Sequence, residues 1–397
     1  MMKRGLLTAA LVAAMALPAA AQKKYGPGVS DTEIRIGQTM PYSGPLSSYG
    51  IEGRAEEAYF KMINEKGGVN GRKITLVSLD DAFSPPKTVE ATRRMVEQDI
   101  VLFTFTSVGT GAQTAVQKYL ASKKVPQLFL STGASKWNNP KEFPWTMPIL
   151  HLYSTEGQIH AKYILEQKPN AKIGILMQND DFGKDFVAGF KKGLGDKASL
   201  ITKEVTFEVA DPTLDAQVVA LKQAGIDVLF DVSLGKQTAQ VIKKLAEMNW
   251  KPMHVIVSTS TGKPILDAAG LDNCKDIITA TPYKQAGSPA FASDPDVVEY
   301  KAFMKKYLPN EDASNEIGFI SYSWAMMLTK MLQSMGDDLT QESIVAKATN
   351  MQGVTSAALL PGITYNTTPT DYAPIKTLRL QKFNGETWDK IEDVTVQ

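Results

Sequence analysis

The amino-acid sequence predicts an α/β protein of two lobes, each a parallel sheet with helices on both faces, joined by three strands. Three observations predict it. Short apolar, β-branched runs alternate with amphipathic stretches along most of the chain, this alternation breaks at three separated places, and 397 residues suffice for two or three domains with cores of their own.

The alternation begins with the run Ile34-Arg35-Ile36-Gly37-Gln38, followed by a helical stretch with Ala55, Ala58, Tyr59, Met62 and Ile63 on one face. Gly67-Gly68-Val69-Asn70-Gly71 stops that helix, and residues 73–78 read as the next strand, so a βαβ unit results. Strands are expected at 101–106 and 127–130, with a helix between them carrying Ala112, Ala115, Val116, Tyr119 and Leu120. Further strands are expected at 172–177, 227–230 and 254–257, with helices from Phe182 and over 237–248. Strands separated by helices of this length favour parallel pairing.

The first break spans 139–151, where Pro140, Phe143-Pro144-Trp145 and Pro148 favour extended chain. The second covers 277–283 with the small-residue loop that runs on to Pro295, and the third surrounds Leu359-Leu360-Pro361-Gly362. Three crossings between lobes make a hinge rather than a linker.

Composition narrows the function. Lys3 and Arg4, the apolar run 6–17 and Ala19-Ala20-Ala21 read as a secretory signal with cleavage after Ala21. The apolar run is far shorter than the roughly 20 residues that span hydrocarbon, so no stable membrane anchor is expected. Cys274 is the only cysteine, which leaves no internal disulfide and no lipid attachment at a new N-terminus. With 43 basic against 42 acidic residues there is no basic field for nucleic acid.

In open parallel sheets ligands bind beyond the carboxyl ends of the strands, where loops and helix N-termini offer free N–H groups. Six segments fall there: 41–50, 107–112, 131–135, 179–183, 233–236 and 258–263. Each combines small residues with hydroxyls or an aromatic ring, a composition that suits a small ligand and equally suits ordinary turns and caps. Catalytic patterns fail in turn. Gly109-Thr110-Gly111 has Thr114 where a dinucleotide loop needs a third glycine, Gly262-Lys263 lacks the upstream glycine of a phosphate loop, and no Gly-x-Ser-x-Gly elbow occurs. His151, His160 and His254 lack metal-pair spacing and read as structural, and Asp180-Asp181 reads as a helix cap. No catalytic group, cofactor or metal is expected.

In order along the chain, Ser43-Gly44-Pro45, Tyr49-Gly50, Ile63-Asn64, Gly67-Gly68-Val69-Asn70-Gly71-Arg72, Lys123-Lys124-Val125-Pro126, Ser131-Thr132-Gly133-Ala134-Ser135 and Asn179-Asp180-Asp181-Phe182-Gly183-Lys184 resemble the leucine-binding type of periplasmic substrate-binding protein. The resemblance covers essentially the whole mature chain. It implies the type I periplasmic binding protein fold of two Rossmann-like lobes, here 28–147 with 283–356 and 148–282 with 357–397. It also implies a monomer that binds a small molecule by hinge closure and delivers it to the permease subunits of an ABC transporter. By position, Ser48, Tyr49, Thr110, Gly111, Gly133, Ala134 and Ser135 would line the first lobe. Phe182, Leu234, Ser258 and Thr259 would face them from the second.

Two positions depart from the amino-acid binders of that family, which place an acid near Ser258-Thr259 and a tyrosine at Phe182. A buried ammonium without its partner costs roughly 3–5 kcal/mol, so the expected ligand carries no α-ammonium. A small carboxylate with an aromatic or aliphatic body fits better, its acid held by Ser135, Thr110, neighbouring N–H groups and Lys236, its body by Tyr49, Phe182 and Tyr153. Asp231 or Asp181 in the ammonium-binding role would restore a branched-chain amino acid. A sensory protein of the same fold and a secreted α/β hydrolase are the competing readings; the second requires a catalytic constellation that the motifs do not supply.

Overall fold

A computed structural model describes residues 23–396, so the signal segment with its cleavage point lies outside the described residues. Two sheets carry the fold. The first is wholly parallel, in the order Lys73–Asp80, Glu33–Met40, Thr104–Phe105, Gln127–Leu130, Thr146–Pro148. The second runs Trp388–Thr395, Thr377–Phe383, Ile278–Thr281, Met253–Ile256, Val228–Val232, Ile173–Gln178, Ile201–Phe207. Its interior strands are continuous apolar runs because helices cover both faces: all five residues of Val228–Val232 are buried.

The expectation of parallel sheets needs one correction. The second sheet ends in an antiparallel pair, Thr377–Phe383 against Trp388–Thr395, itself antiparallel to Ile278–Thr281. Only four residues join the two, too few for the crossover helix that parallel pairing demands, and Gly385 takes φ 107° in the turn. The strand expected at 101–106 is also shorter, Thr104–Phe105, because Thr106 turns the backbone to φ 47°.

The chain leaves the first sheet after Pro148 and enters the helix Tyr153–Gln167 of the second lobe. It returns after Thr281 and crosses again near Leu359. These two crossings lie side by side: Tyr283 and Leu359 form an antiparallel bridge, the Lys284 N–H donates to the Ala358 carbonyl at 2.8 Å, and the Leu360 N–H to the Pro282 carbonyl at 2.9 Å. Between them the chain adds the helices Pro295–Tyr307 and Glu316–Met335 to the first lobe. Glu316–Met335 lies against Ile51–Glu65, with Tyr59 edge-on to Tyr322 at 5.1 Å and Phe303 against Tyr322 at 4.8 Å.

In the second lobe, Asp180 caps the helix Asp181–Leu194 by accepting the Gly183 N–H, and Phe182, Phe186 and Phe190 repeat every four residues on its buried face. This helix meets Tyr153–Gln167 closely enough that a side chain at Gly189 would place Cβ 2.3 Å from the Ser154 Cα. Tyr153 then stacks on Phe186 at 4.4 Å and meets Phe182 edge-on at 5.2 Å. Cys274 is buried in a smaller cluster under the helix Lys236–Glu247. Among the described residues no helix is long and apolar enough to cross a membrane.

Candidate ligand-binding cleft

The lobes meet across two adjoining chambers that share Tyr49, Ser131, Leu150 and Thr259. The smaller holds about 430 Å³ of empty space. Leu46, Phe83, Gly109 and Thr110 from the first lobe face Tyr153, Phe182 and Leu234 from the second, and no charged side chain reaches it. The larger, about 630 Å³, adds Glu52, His151, Ser258, Lys284, Glu316 and Trp324.

The lobes are closed on one another. The Tyr49 hydroxyl donates to the Thr259 carbonyl at 2.8 Å, the Lys263 N–H to Glu316 Oε2 at 3.1 Å, and Lys136 pairs with Asp181 at 2.6 Å. Gly109, at φ 99°, opens the helix Thr110–Ser122, whose first turn has no side-chain cap and whose first residue lines the smaller chamber. The Phe83 ring occupies the space where a Gly109 Cβ would sit, 2.6 Å away. Glycine is therefore needed there twice over.

Of the residues expected at the site, Tyr49, Thr110, Tyr153, Phe182, Leu234, Ser258 and Thr259 line one chamber or both. The others sit elsewhere. Ser48 and Lys236 line a separate surface groove between the lobes with Gly44, Ser47 and Pro264. Gly111 lies one residue inside the helix, outside both linings. Gly133 is packed under Tyr153, where its carbonyl accepts the Tyr153 N–H at 2.7 Å and an added Cβ would lie 2.1 Å from the His151 oxygen. Ala134 is core. Ser135 gives its N–H and hydroxyl to Asp185 at 2.9 and 3.0 Å, so a carboxylate already occupies the position in which it would hold an acid. The two carboxylates considered as ammonium partners are engaged as well: Asp231 accepts from His254 at 3.1 Å inside the sheet, and Asp181 binds Lys136.

The carboxyls that do line the cleft are Glu52 and Glu316, which sequence reasoning did not single out. Burial pushes Glu52 up to about 8, opposed only by the Ser131 hydroxyl at 3.1 Å. One turn on, burial and the neighbouring Glu52 raise Glu56 well above the ordinary range, although Gln38 and Thr106 donate to it. Burial lifts Glu316 to about 7 against the N–H groups of its own residue and Lys263. Lys284 neutralises none of these, because its ammonium lies 3.0 Å from Asp294 and 3.2 Å from Asp296. A signal for Glu52 and Glu56 was present: they stand three residues before Ala55 and Tyr59, on the helical face that reads as buried.

His151, read as structural, both lines the cleft and holds it together. Its Nε2 meets Glu156 at 2.6 Å, His160 meets the same carboxylate at 3.1 Å, and the Ser258 N–H and hydroxyl each donate to it at 2.7 Å. Burial acts to raise Glu156, but the histidines overcome it and hold the acid at about 2. The first residue after the crossing and the loop 258–260 are thereby tied to one anion. Among the described residues no cluster could hold a metal ion.

Two α/β lobes closed over an interlobe cavity define a solute-binding protein. The chain belongs to the periplasmic binding protein family, whose model matches residues 33–387, and it has the type I fold of leucine-binding proteins. A curated relative, the Leu/Ile/Val-binding protein homolog 1 of Brucella suis biovar 1 (strain 1330), is 23% identical over 332 residues, covering 82% of this chain and 84% of the relative. A branched chain amino acid ABC transporter protein from Thermus thermophilus with bound valine superposes with a TM-score of 0.82 at 18% identity, covering 93% of this chain and 98% of that one. A solute binding protein of an ABC transporter from Rhodopseudomonas palustris BisB5, in complex with 3,4-dihydroxy benzoic acid, gives 0.76 at 20% identity, covering 92% and 98%. At such identities the structures speak for the fold.

Proposed function

We propose that the protein is the extracytoplasmic solute-binding component of an ABC importer, cleaved after Ala21, and that its cleft closes on a small organic acid with an aromatic or aliphatic body. It binds without covalent chemistry and hands the closed, liganded form to permease subunits. The smaller chamber carries this reading. Its walls are the rings of Phe83, Tyr153 and Phe182, its polar end is the uncapped helix start at Thr110, whose hydroxyl is shared with Thr132 at 2.6 Å, and it contains no carboxylate to meet an ammonium. An acid is favoured at such a helix start by the free N–H groups and the helix dipole.

A branched-chain amino acid is the second reading, supported by the valine of the Thermus neighbour and by Glu52, which reaches the shared residue Ser131. Calorimetry on the mature protein with leucine, valine, benzoate and aliphatic acids separates the two. Acid binding without leucine binding is the expected result, and micromolar leucine binding with no acid binding would sink the first reading. A thermal-shift screen comes first, since ligand at about 100 times its Kd adds about 2.7 kcal/mol to stability.

A further inference from the structure

We propose that Glu52 is a second ligand contact, receiving a hydroxyl at the end of the bound acid remote from its carboxylate, so that the cleft prefers hydroxylated acids, aromatic ones above all, to their unsubstituted parents. The inference rests on the organic-acid reading and names the substrate class within it.

Three observations converge on the larger chamber. Glu52 is 2% exposed, and its Oε1 has no hydrogen-bond partner among the described residues. The Thr259 and Tyr283 hydroxyls and His151 Nδ1, on residues that line the same chamber, are likewise buried without partners. Buried polar groups are ordinarily paired, and leaving one unpaired costs the desolvation of that group, so four together mark a place where a bound molecule brings its own hydrogen bonds. Thr110 and Glu52 line different chambers joined at Ser131, so a molecule whose acid sits at Thr110 meets Glu52 with its far end.

The chemistry of that far end follows from the surroundings. The nearest ammonium, Lys284, is held by Asp294 and Asp296, and Glu52 lies one turn from the equally buried Glu56 on the helix Ile51–Glu65. Without a cation beside it the carboxyl keeps its proton at neutral pH, which the upward push on Glu52 supports. A neutral carboxyl both donates and accepts, and so does a hydroxyl; the pair needs no buried charge. An ammonium would need Glu52 to lose that proton to solvent and would then be buried against Trp324 and Leu150, in a chamber whose two carboxyls, Glu52 and Glu316, burial pushes toward the neutral form.

The test is calorimetry of the mature wild-type protein against benzoate, 3-hydroxybenzoate, 4-hydroxybenzoate and leucine, repeated with Glu52→Leu, which has neither donor nor acceptor, after its fold is checked by thermal melting. Expected is binding of at least one hydroxybenzoate about tenfold tighter than benzoate, equivalent to about 1.4 kcal/mol, with the preference lost in E52L. Equal affinities for all the benzoates in the wild type would overturn the inference and leave the organic-acid reading standing. A hydroxyl preference that persists in E52L would remove Glu52 from the contact. Leucine binding with no benzoate binding would overturn both. If the variant does not fold, equal wild-type affinities for the benzoates still overturn the inference.

Discussion

Glu156 and Glu52 carry the same group and are equally cut off from solvent at 0% and 2% exposure; Glu52 lines the cleft itself, and Glu156 stands behind His151 and Ser258, which line it. They differ in the donors that reach them. Glu156 takes two imidazoles, an N–H and a hydroxyl and is an anion far below neutral pH; Glu52 takes one hydroxyl and is a neutral acid up to about 8. Burial alone therefore does not set a carboxyl's role: donors from the protein make it a structural anchor, and their absence leaves it to a ligand.

The sharpest way to break this contrast is Glu156→Ala. It strands His151, His160 and the Ser258 N–H, and stability should fall by about 3–5 kcal/mol in urea unfolding, the usual cost of breaking a buried ionic network. Glu52→Gln should cost less than about 1 kcal/mol, since it exchanges one neutral acceptor for another. Equal losses in the two variants would mean that Glu52 is as fully engaged as Glu156.

Next in size is the pH dependence. Glu52 binds its proton more tightly folded than unfolded, so its contribution is complete below about 4.5 and is lost as pH rises toward about 8, at up to about 1.4 kcal/mol per pH unit. Glu56 and Glu316 act in the same direction. Glu156 acts oppositely: its contribution is complete above about 4.5 and disappears as pH falls toward about 2. Urea midpoints between pH 5 and 8 should therefore decline in the wild type and decline less in E52Q. A flat wild-type profile would show that Glu52 ionises normally.

Tyr49→Phe removes the hydroxyl that bridges the lobes to the Thr259 carbonyl, a loss of about 0.5–1.5 kcal/mol, read as three- to tenfold weaker ligand binding by calorimetry. Unchanged affinity would place the closing contacts elsewhere. Smallest is Lys136→Met: its pair with the half-exposed Asp181 should be worth about 0–1 kcal/mol to closure and weaken with added salt. A larger, salt-independent effect on affinity would point to contact with the ligand itself.

Much of this was legible in the chain. The alternating pattern placed the helices Ile51–Glu65 and Asp181–Leu194, and proline-rich breaks marked crossings, because helix periodicity and proline geometry are local properties. The two-lobed α/β class, the exclusion of a dinucleotide loop at Gly109-Thr110-Gly111, and the candidate loops containing Tyr49, Phe182 and Thr259 follow from sequence by itself. The tertiary structure decided which polar groups in those loops are free. Ser135 is consumed by Asp185, a residue 50 positions away; Glu316 and Trp324 join the cleft on a helix that reaches the first lobe only after the chain has crossed twice; and Ser258 is turned toward an anion in Tyr153–Gln167. A residue's own pattern says that it can donate or accept. Whether it still has something to give a ligand depends on what the other lobe and the far end of the chain place against it, and no local pattern records that.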